Sequence, residues 1–214
     1  MTTLTVDESL GKAVSELPIV TIVRELGDPA RALAVVAALR DGGATAIEVT
    51  TNTAEWQAAV TRAVEMGFAA VGVGTVMTMA HVREAHDCGA SFVVSPGFDE
   101  AIVKDALARG MDVLPGAMTP TEICSALGAG ARRVKLFPAG TLGLTYFGAL
   151  RAPFNGVEFV PTGGISPQNA VSWLRAGSWA IGMSGSLTSG TPQEIELRMR
   201  ELRVSVLAEW KDIS

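Results

Sequence analysis

Eight short apolar runs recur along the chain, and an amphipathic segment separates each from the next. The runs are "PIVTIVR" (18–24), "TAIEVT" (45–50), "AAVGVG" (69–74), "SFVVS" (91–95), "DVLPG" (112–116), "RRVKLF" (132–137), "EFVPTGG" (158–164) and "WAIGM" (179–183). They are rich in Val and Ile and almost continuously hydrophobic, the pattern of parallel strands covered on both faces. The intervening segments, such as "DPARALAVVAALRDGG", have helical periodicity. Their starts are marked by Asp28-Pro29, Thr119-Pro120, Ser166-Pro167 and Thr191-Pro192, each a capping side chain before a proline suited to the first helical position. Thr119 and Thr191 also have a glutamate three residues on, which completes a capping box. Glycines end the helices at intervals of about 20 to 25 residues, the length of one strand-helix unit.

Eight such units predict an α/β fold, a compact (β/α)8 TIM barrel with an extra N-terminal helix over residues 1–17. No linker or composition break divides residues 1–214, so a single domain is expected. The rival is an open doubly wound sheet, which normally opens on a glycine-rich dinucleotide loop. "GVGTVM" (72–77) has Met77 where the third glycine would stand and follows a third strand, not a first. Nicotinamide binding is disfavoured, and no Walker-type phosphate loop exists.

A net charge of −5 gives no basic footprint, so nucleic acid is not an expected partner. No apolar run approaches the roughly 18 residues that span a membrane. The N-terminus lacks a basic start followed by an apolar block, so it reads as an amphipathic helix rather than a secretion signal. Cys88 and Cys124 have no metal-type spacing and read as reduced, buried thiols of a cytoplasmic protein. His81 and His86 sit about 140° apart on a helix and read as surface residues, so no metal site is expected.

Lys135 is the residue that fits this pattern least. It is one of four lysines, and it lies in the middle of the sixth apolar run. In a barrel, alternate strand residues face inward and chemistry sits at the C-terminal strand ends. Val134 and Leu136 would then face the helices, with Lys135 inside beside Arg133 and Phe137. In the second run, Ile47 and Val49 would face the helices and Glu48 and Thr50 would point in. The bland reading is a buried Lys135–Glu48 ion pair, a weak stabiliser because desolvation offsets the attraction. The chemical reading is that burial, with Arg133 or Arg24 near, lowers the lysine pKa. A neutral amine can attack a ketone, and the resulting iminium lets a neighbouring carbon–carbon bond break. Glu48 would move the protons. Late in the chain, "PTGGIS" (161–166) and "GMSGS" (182–186) follow the seventh and eighth runs. Loops there commonly cradle phosphate through backbone N–H groups.

"IEVT", "GVGTV", "FVVSPGFDE", "LPGAMTPTEI", "VKLFPAG" and "FVPTGGIS" together resemble the class I 2-keto-3-deoxy-6-phosphogluconate (KDPG) and 4-hydroxy-2-oxoglutarate (KHG) aldolase family. The likeness runs from about Pro18 to about Ser186, with the motifs in the family's order. It implies a homotrimeric barrel that needs no cofactor beyond a covalent lysine imine. By the resemblance, Lys135 forms the Schiff base and Glu48 is the general acid/base. Arg24 and Thr75 would hold the substrate chain and its carboxylate. Gly163, Gly164 and Ser184 fall on phosphate-binding positions, with Gly185 or Ser186 as alternatives to Ser184. The implied partners are pyruvate and a phosphorylated keto-deoxy sugar acid, cleaved to pyruvate and glyceraldehyde 3-phosphate. One departure is Asn52, where gluconate-type members carry an arginine for the carboxylate. It is similar to the galactonate-type (KDPGal) branch, although it could equally be a helix N-cap with Glu55 three residues on. The alternatives are therefore a 2-keto-3-deoxy-6-phosphogalactonate or 4-hydroxy-2-oxoglutarate aldolase. Beyond those stand a phosphosugar isomerase or epimerase and a barrel without catalysis.

Overall fold

Each of the eight apolar runs contains strand in the computed structural model, which describes residues 8–210. The strands are β1 (Ile19–Val23), β2 (Ala46–Thr50), β3 (Ala70–Gly74), β4 (Phe92–Val94), β5 (Asp112–Leu114), β6 (Gly116–Ala117), β7 (Arg133–Leu136), β8 (Glu158–Pro161) and β9 (Ile181–Met183). The fifth run is split into β5 and β6 because Pro115 has no N–H to donate to a ladder. Its carbonyl still accepts from Lys135 N at 3.0 Å. The helices are α1 (Ser9–Glu16), α2 (Pro29–Asp41), α3 (Trp56–Glu65), α4 (Met79–Asp87), α5 (Glu100–Ala108), α6 (Pro120–Gly128), α7 (Ala139–Arg151), α8 (Ala170–Arg175), α9 (Gly185–Thr188) and α10 (Pro192–Trp210). Residues 1–7 of the expected N-terminal helix lie outside the described residues, as do residues 211–214 at the far end. Among the described residues no helix is long and apolar enough to cross a membrane.

The strands form two parallel sheets, ordered β5-β4-β3-β2-β1-β9 and β6-β7-β8. A single bridge between Thr162 and Gly182 links the end of β8 to β9. Period-two alternation divides β1 to β5 and β8 between two apolar clusters. Ile47, Val49, Val134 and Leu136 pack with the helices, as expected. Ala46, Ala70, Phe92, Val94, Leu114 and Val160 pack with each other and with Leu10, Ala13 and Val14 of α1. Thr45, just before β2, donates its hydroxyl to Ala13 O at 2.9 Å, so α1 covers the N-terminal strand ends. The C-terminal ends are left for a site.

The caps on α2, α6 and α10 form as expected. Asp28 accepts from Ala30 N at 2.9 Å, Thr119 and Glu122 make a full capping box, and Glu194 Oε2 accepts from Thr191 N at 2.7 Å. Ser166 differs. Its own N–H donates to Asn169 Oδ1 at 2.9 Å, and α8 begins only after that turn. The cysteines also divide: Cys88 is half-buried but Cys124 is exposed, because it falls on the outer face of α6. His86 is exposed, whereas His81 is half-buried and its Nδ1 accepts from Met77 N at 3.3 Å.

Close packing inside the smaller cluster depends on Gly72. A Cβ there would overlap the Phe92 ring of the neighbouring strand. Gly72→Ala is expected to destabilise the protein by about 1–3 kcal/mol in urea denaturation. Adding Phe92→Leu to the same chain should recover part of that loss.

Candidate active site

A cavity of about 270 Å³ opens at the C-terminal strand ends. Glu48 reaches it from β2 and Lys135 from β7, while Arg24 enters just after β1. Its other wall is the loop after β8, with Gly163 and Gly164, and the loop after β9, with Ser184. The fold therefore gathers six of the eight residues marked in the sequence. Thr75 and Asn52 do not line the cavity. Ile22, Phe137, Thr162, Ile165, Gly182, Gly185 and Ser186 complete its lining.

Lys135 and Glu48 are 5% and 3% exposed, so both ionisable heads have left bulk water. Burial pushes the Glu48 carboxyl above the usual range, opposed by the charges of Lys135 and Arg24. Burial pulls the Lys135 amine below its usual range; Glu48 opposes that shift and Arg24 adds to it. Both shifts favour the neutral forms. Among the described residues no direct ion pair joins the two groups, although each feels the other's charge. The Lys135 nitrogen also lies 4.9 Å from the centroid of the Phe137 ring at the cavity mouth.

Arg133 belongs elsewhere, which corrects the expectation that it acts on Lys135. It faces the same interior from the start of β7, where it pairs with Asp112 and with Glu158 at 2.8 Å. Its guanidinium stacks 4.3 Å from the Trp179 ring centroid. Two residues of extended chain, roughly 7 Å, separate it from Lys135, and its carboxylate partners absorb its charge. Arg24 is the cation that acts on the amine.

The turn after β2 is tied to the end of β1. Thr53 accepts from Glu25 N at 3.3 Å, and Ala54 N donates to Glu25 O at 2.8 Å. Asn52 is exposed in this turn and caps no helix, which corrects the N-cap reading. Left-handed Glu55 (φ 48°) occupies the cap position of α3 instead. Thr75 is also left-handed (φ 57°), which is costly for a β-branched residue. Its carbonyl accepts from the Thr51 hydroxyl at 2.9 Å, so the two turns brace each other.

Gly163 (φ 85°) and Gly164 (φ 77°) adopt conformations that other residues rarely tolerate. Gly140 N donates to Gly163 O at 2.7 Å, and a Cβ on Gly164 would sit 2.9 Å from Gly140 Cα. Ser186 Oγ donates to Ile165 O at 2.8 Å, which commits its proton. The Ser184 hydroxyl has no such commitment, and α9 starts behind it without a side-chain cap. Its first N–H groups are therefore without intrahelical partners.

Gly74 is a functional position that the sequence reading passed over. A Cβ there would overlap the carboxylate of Glu48, which pairs with Gly72 on β3 and lies diagonally across from Gly74. The signal was present in "GVGTV", where two strand glycines alternate on the face that carries Glu48.

A parallel α/β fold that gathers a buried amine, a buried carboxyl and glycine-rich loops in one pocket is suited to small anionic carbonyl compounds. A profile of the KDPG and KHG aldolase family matches residues 10–195. The chain belongs to that family and is an aldolase, a carbon–carbon lyase. It is 35% identical over 212 residues to the 2-dehydro-3-deoxy-phosphogluconate aldolase of Treponema pallidum (strain Nichols), covering 94% of this chain and 98% of that one. It is 32% identical over 176 residues to the 2-dehydro-3-deoxy-6-phosphogalactonate aldolase of Escherichia coli (strain K12), covering 81% and 85%. A solved native KDPGal structure has a TM-score of 0.83 at 30% identity, covering 92% of this chain and 97% of the other.

Because Glu48 leans into the space above Gly74, Gly74→Ala is expected to displace its carboxylate. Aldol turnover should fall by about 10- to 100-fold, with the far-ultraviolet circular dichroism unchanged.

Proposed function

We propose that this aldolase reversibly cleaves 2-keto-3-deoxy-6-phosphogluconate to pyruvate and glyceraldehyde 3-phosphate through a lysine imine, with no metal or other cofactor. One observation carries the reading: Lys135 and Glu48 are both buried in one cavity, shifted toward neutrality and not paired directly. The Lys135 nitrogen attacks the C2 carbonyl, and the neutral Glu48 carboxyl protonates the departing hydroxyl of the carbinolamine, so that water leaves and an iminium forms. Glu48, as carboxylate, takes the C4 hydroxyl proton. The C3–C4 electron pair then flows into the iminium, which releases glyceraldehyde 3-phosphate and leaves an enamine. The proton now on Glu48 is returned to C3, and hydrolysis frees pyruvate and the amine. In this reading Arg24 meets an anionic end of the substrate and Gly163, Gly164 and Ser184 hold its phosphate, which their shared place in the cavity lining supports. Thr75 and Asn52 lie outside the cavity lining, so we assign them to contacts at the rim around the pyruvate carboxylate.

The galactonate epimer is the second reading, favoured by Asn52 and by the likeness to the Escherichia coli enzyme. We further propose that the two sheets close into one (β/α)8 barrel, with β5 and β6 counted as one strand. The continuity through Pro115 and the Thr162–Gly182 bridge support closure. An experimental structure with β8 and β9 apart would remove it. A cytoplasmic homotrimer acting on small molecules, without nucleic acid or membrane partners, completes the proposal. A single-chain mass in light scattering would rule out the trimer.

Borohydride with pyruvate should add one adduct, at Lys135, and none to Lys135→Met; an unmodified Lys135 peptide in the wild type would sink the mechanism. The pH at which trapping rises tests the electrostatics. Glu48 holds the amine pKa up, so Glu48→Gln should move that limb to lower pH. Arg24 holds it down, so Arg24→Gln should move the limb to higher pH. Turnover on the two epimeric phosphates should favour the gluconate form, and Asn52→Arg should lower KM through a charge-assisted contact to the carboxylate.

A further inference from the structure

Helix α9 is a single turn, yet it presents residues 184–186 to the cavity wall. One turn has too few internal bonds to fix its own direction. Thr188 N and Ser189 N donate back to Ser184 O and Gly185 O, each at 3.1 Å. Leu187 is buried in the core beneath it, and two arginines on other helices hold its last carbonyls. Arg198 on α10 donates from Nη1 to Leu187 O at 2.6 Å and to Ser189 O at 2.9 Å. Arg31 on α2 donates from Nη2 to Thr188 O at 3.3 Å, and its Nε pairs with Glu25 at 3.1 Å. Three successive carbonyls at the C-terminal end of α9 are thus held by guanidinium groups, where a helix dipole favours cations. Ser186 fastens the other end to the loop after β8.

We propose that Arg198, assisted by Arg31, is a positioning residue for the anionic end of the substrate. It clamps α9 from behind, so that Ser184, Gly185 and Ser186 stay fixed at the cavity wall. Neither guanidinium lines the cavity, so the effect is transmitted through backbone. The inference rests on the aldolase reading for its ligand, a phosphomonoester. Loss of the clamp penalises only ligands whose phosphate reaches this wall. The imine chemistry on the Lys135 side is untouched.

The test compares full-length wild type with Arg198→Met on two arms. With phosphorylated substrate, kcat/KM should fall about 10- to 100-fold, mostly through KM, while pyruvate trapping at Lys135 changes by less than about twofold. Arg198→Lys should regain part of the loss, because one cationic donor remains. Equal losses on both arms, or no loss with the phosphorylated substrate, overturn the inference. Should Arg198→Met fail to fold, Arg31→Met, which removes one of the three carbonyl contacts, decides by the same comparison. Calorimetric binding of glyceraldehyde 3-phosphate, weakened about tenfold in the variant, separates the two proposals. If wild type shows no trapping at Lys135 but this clamp-dependent binding persists, the imine reading fails and the positioning role stands.

Discussion

Desolvation of two opposite ionisable groups in one cavity is the constraint on which the rest of this protein depends. Burial moves the Lys135 amine and the Glu48 carboxyl in opposite directions on the pH scale, each toward its neutral form. In water the pair would be an ammonium and a carboxylate, inert toward a ketone. Deep in the fold the amine gains nucleophilic character, helped by Arg24, and the carboxyl gains basicity although Arg24 opposes it. A direct salt bridge would cancel both gains, and none forms among the described residues.

The same interior handles charge in a different way at its opposite end. Arg133 is also buried, yet it meets Asp112 and Glu158 directly and lies against Trp179. Burial raises the Asp112 pKa, and the arginine opposes that shift. One strand, β7, thus carries a paired cation at its start and an unpaired amine near its end. Helix α1 closes the paired end with Leu10, Ala13 and Val14. The unpaired end stays open to substrate.

Glycines decide where polar groups can go. Gly74 leaves room for the Glu48 carboxylate, Gly72 for the Phe92 ring and Gly182 for the Thr162 side chain. Gly140 and Gly164 let the start of α7 lie directly against the loop after β8, so Lys135 and that wall of the cavity are held by one short stretch of chain. Backbone in close contact moves as a unit, which keeps the two halves of the pocket in register.

The order of strands and helices, the inward direction of Glu48 and Lys135 and most helix caps could be read directly from the chain. They follow from local periodicity and short-range hydrogen bonds: period two for strands, Thr-Pro and Asp-Pro for helix starts. Other features were beyond such reading because they arise between residues distant in sequence. Arg133 looked like a neighbour that would tune Lys135, but Asp112 and Glu158, from two other strands, claim it. Asn52 looked like a cap, but contacts from the end of β1 hold its turn and delay α3 until Trp56. The space above Gly74 and the arginine clamp on α9 exist only once β2 lies beside β3 and α10 beside α9. Local pattern fixed which side chains enter the interior, and tertiary packing decided which of them remain unpaired, since pairing depends on distances that only the folded chain sets.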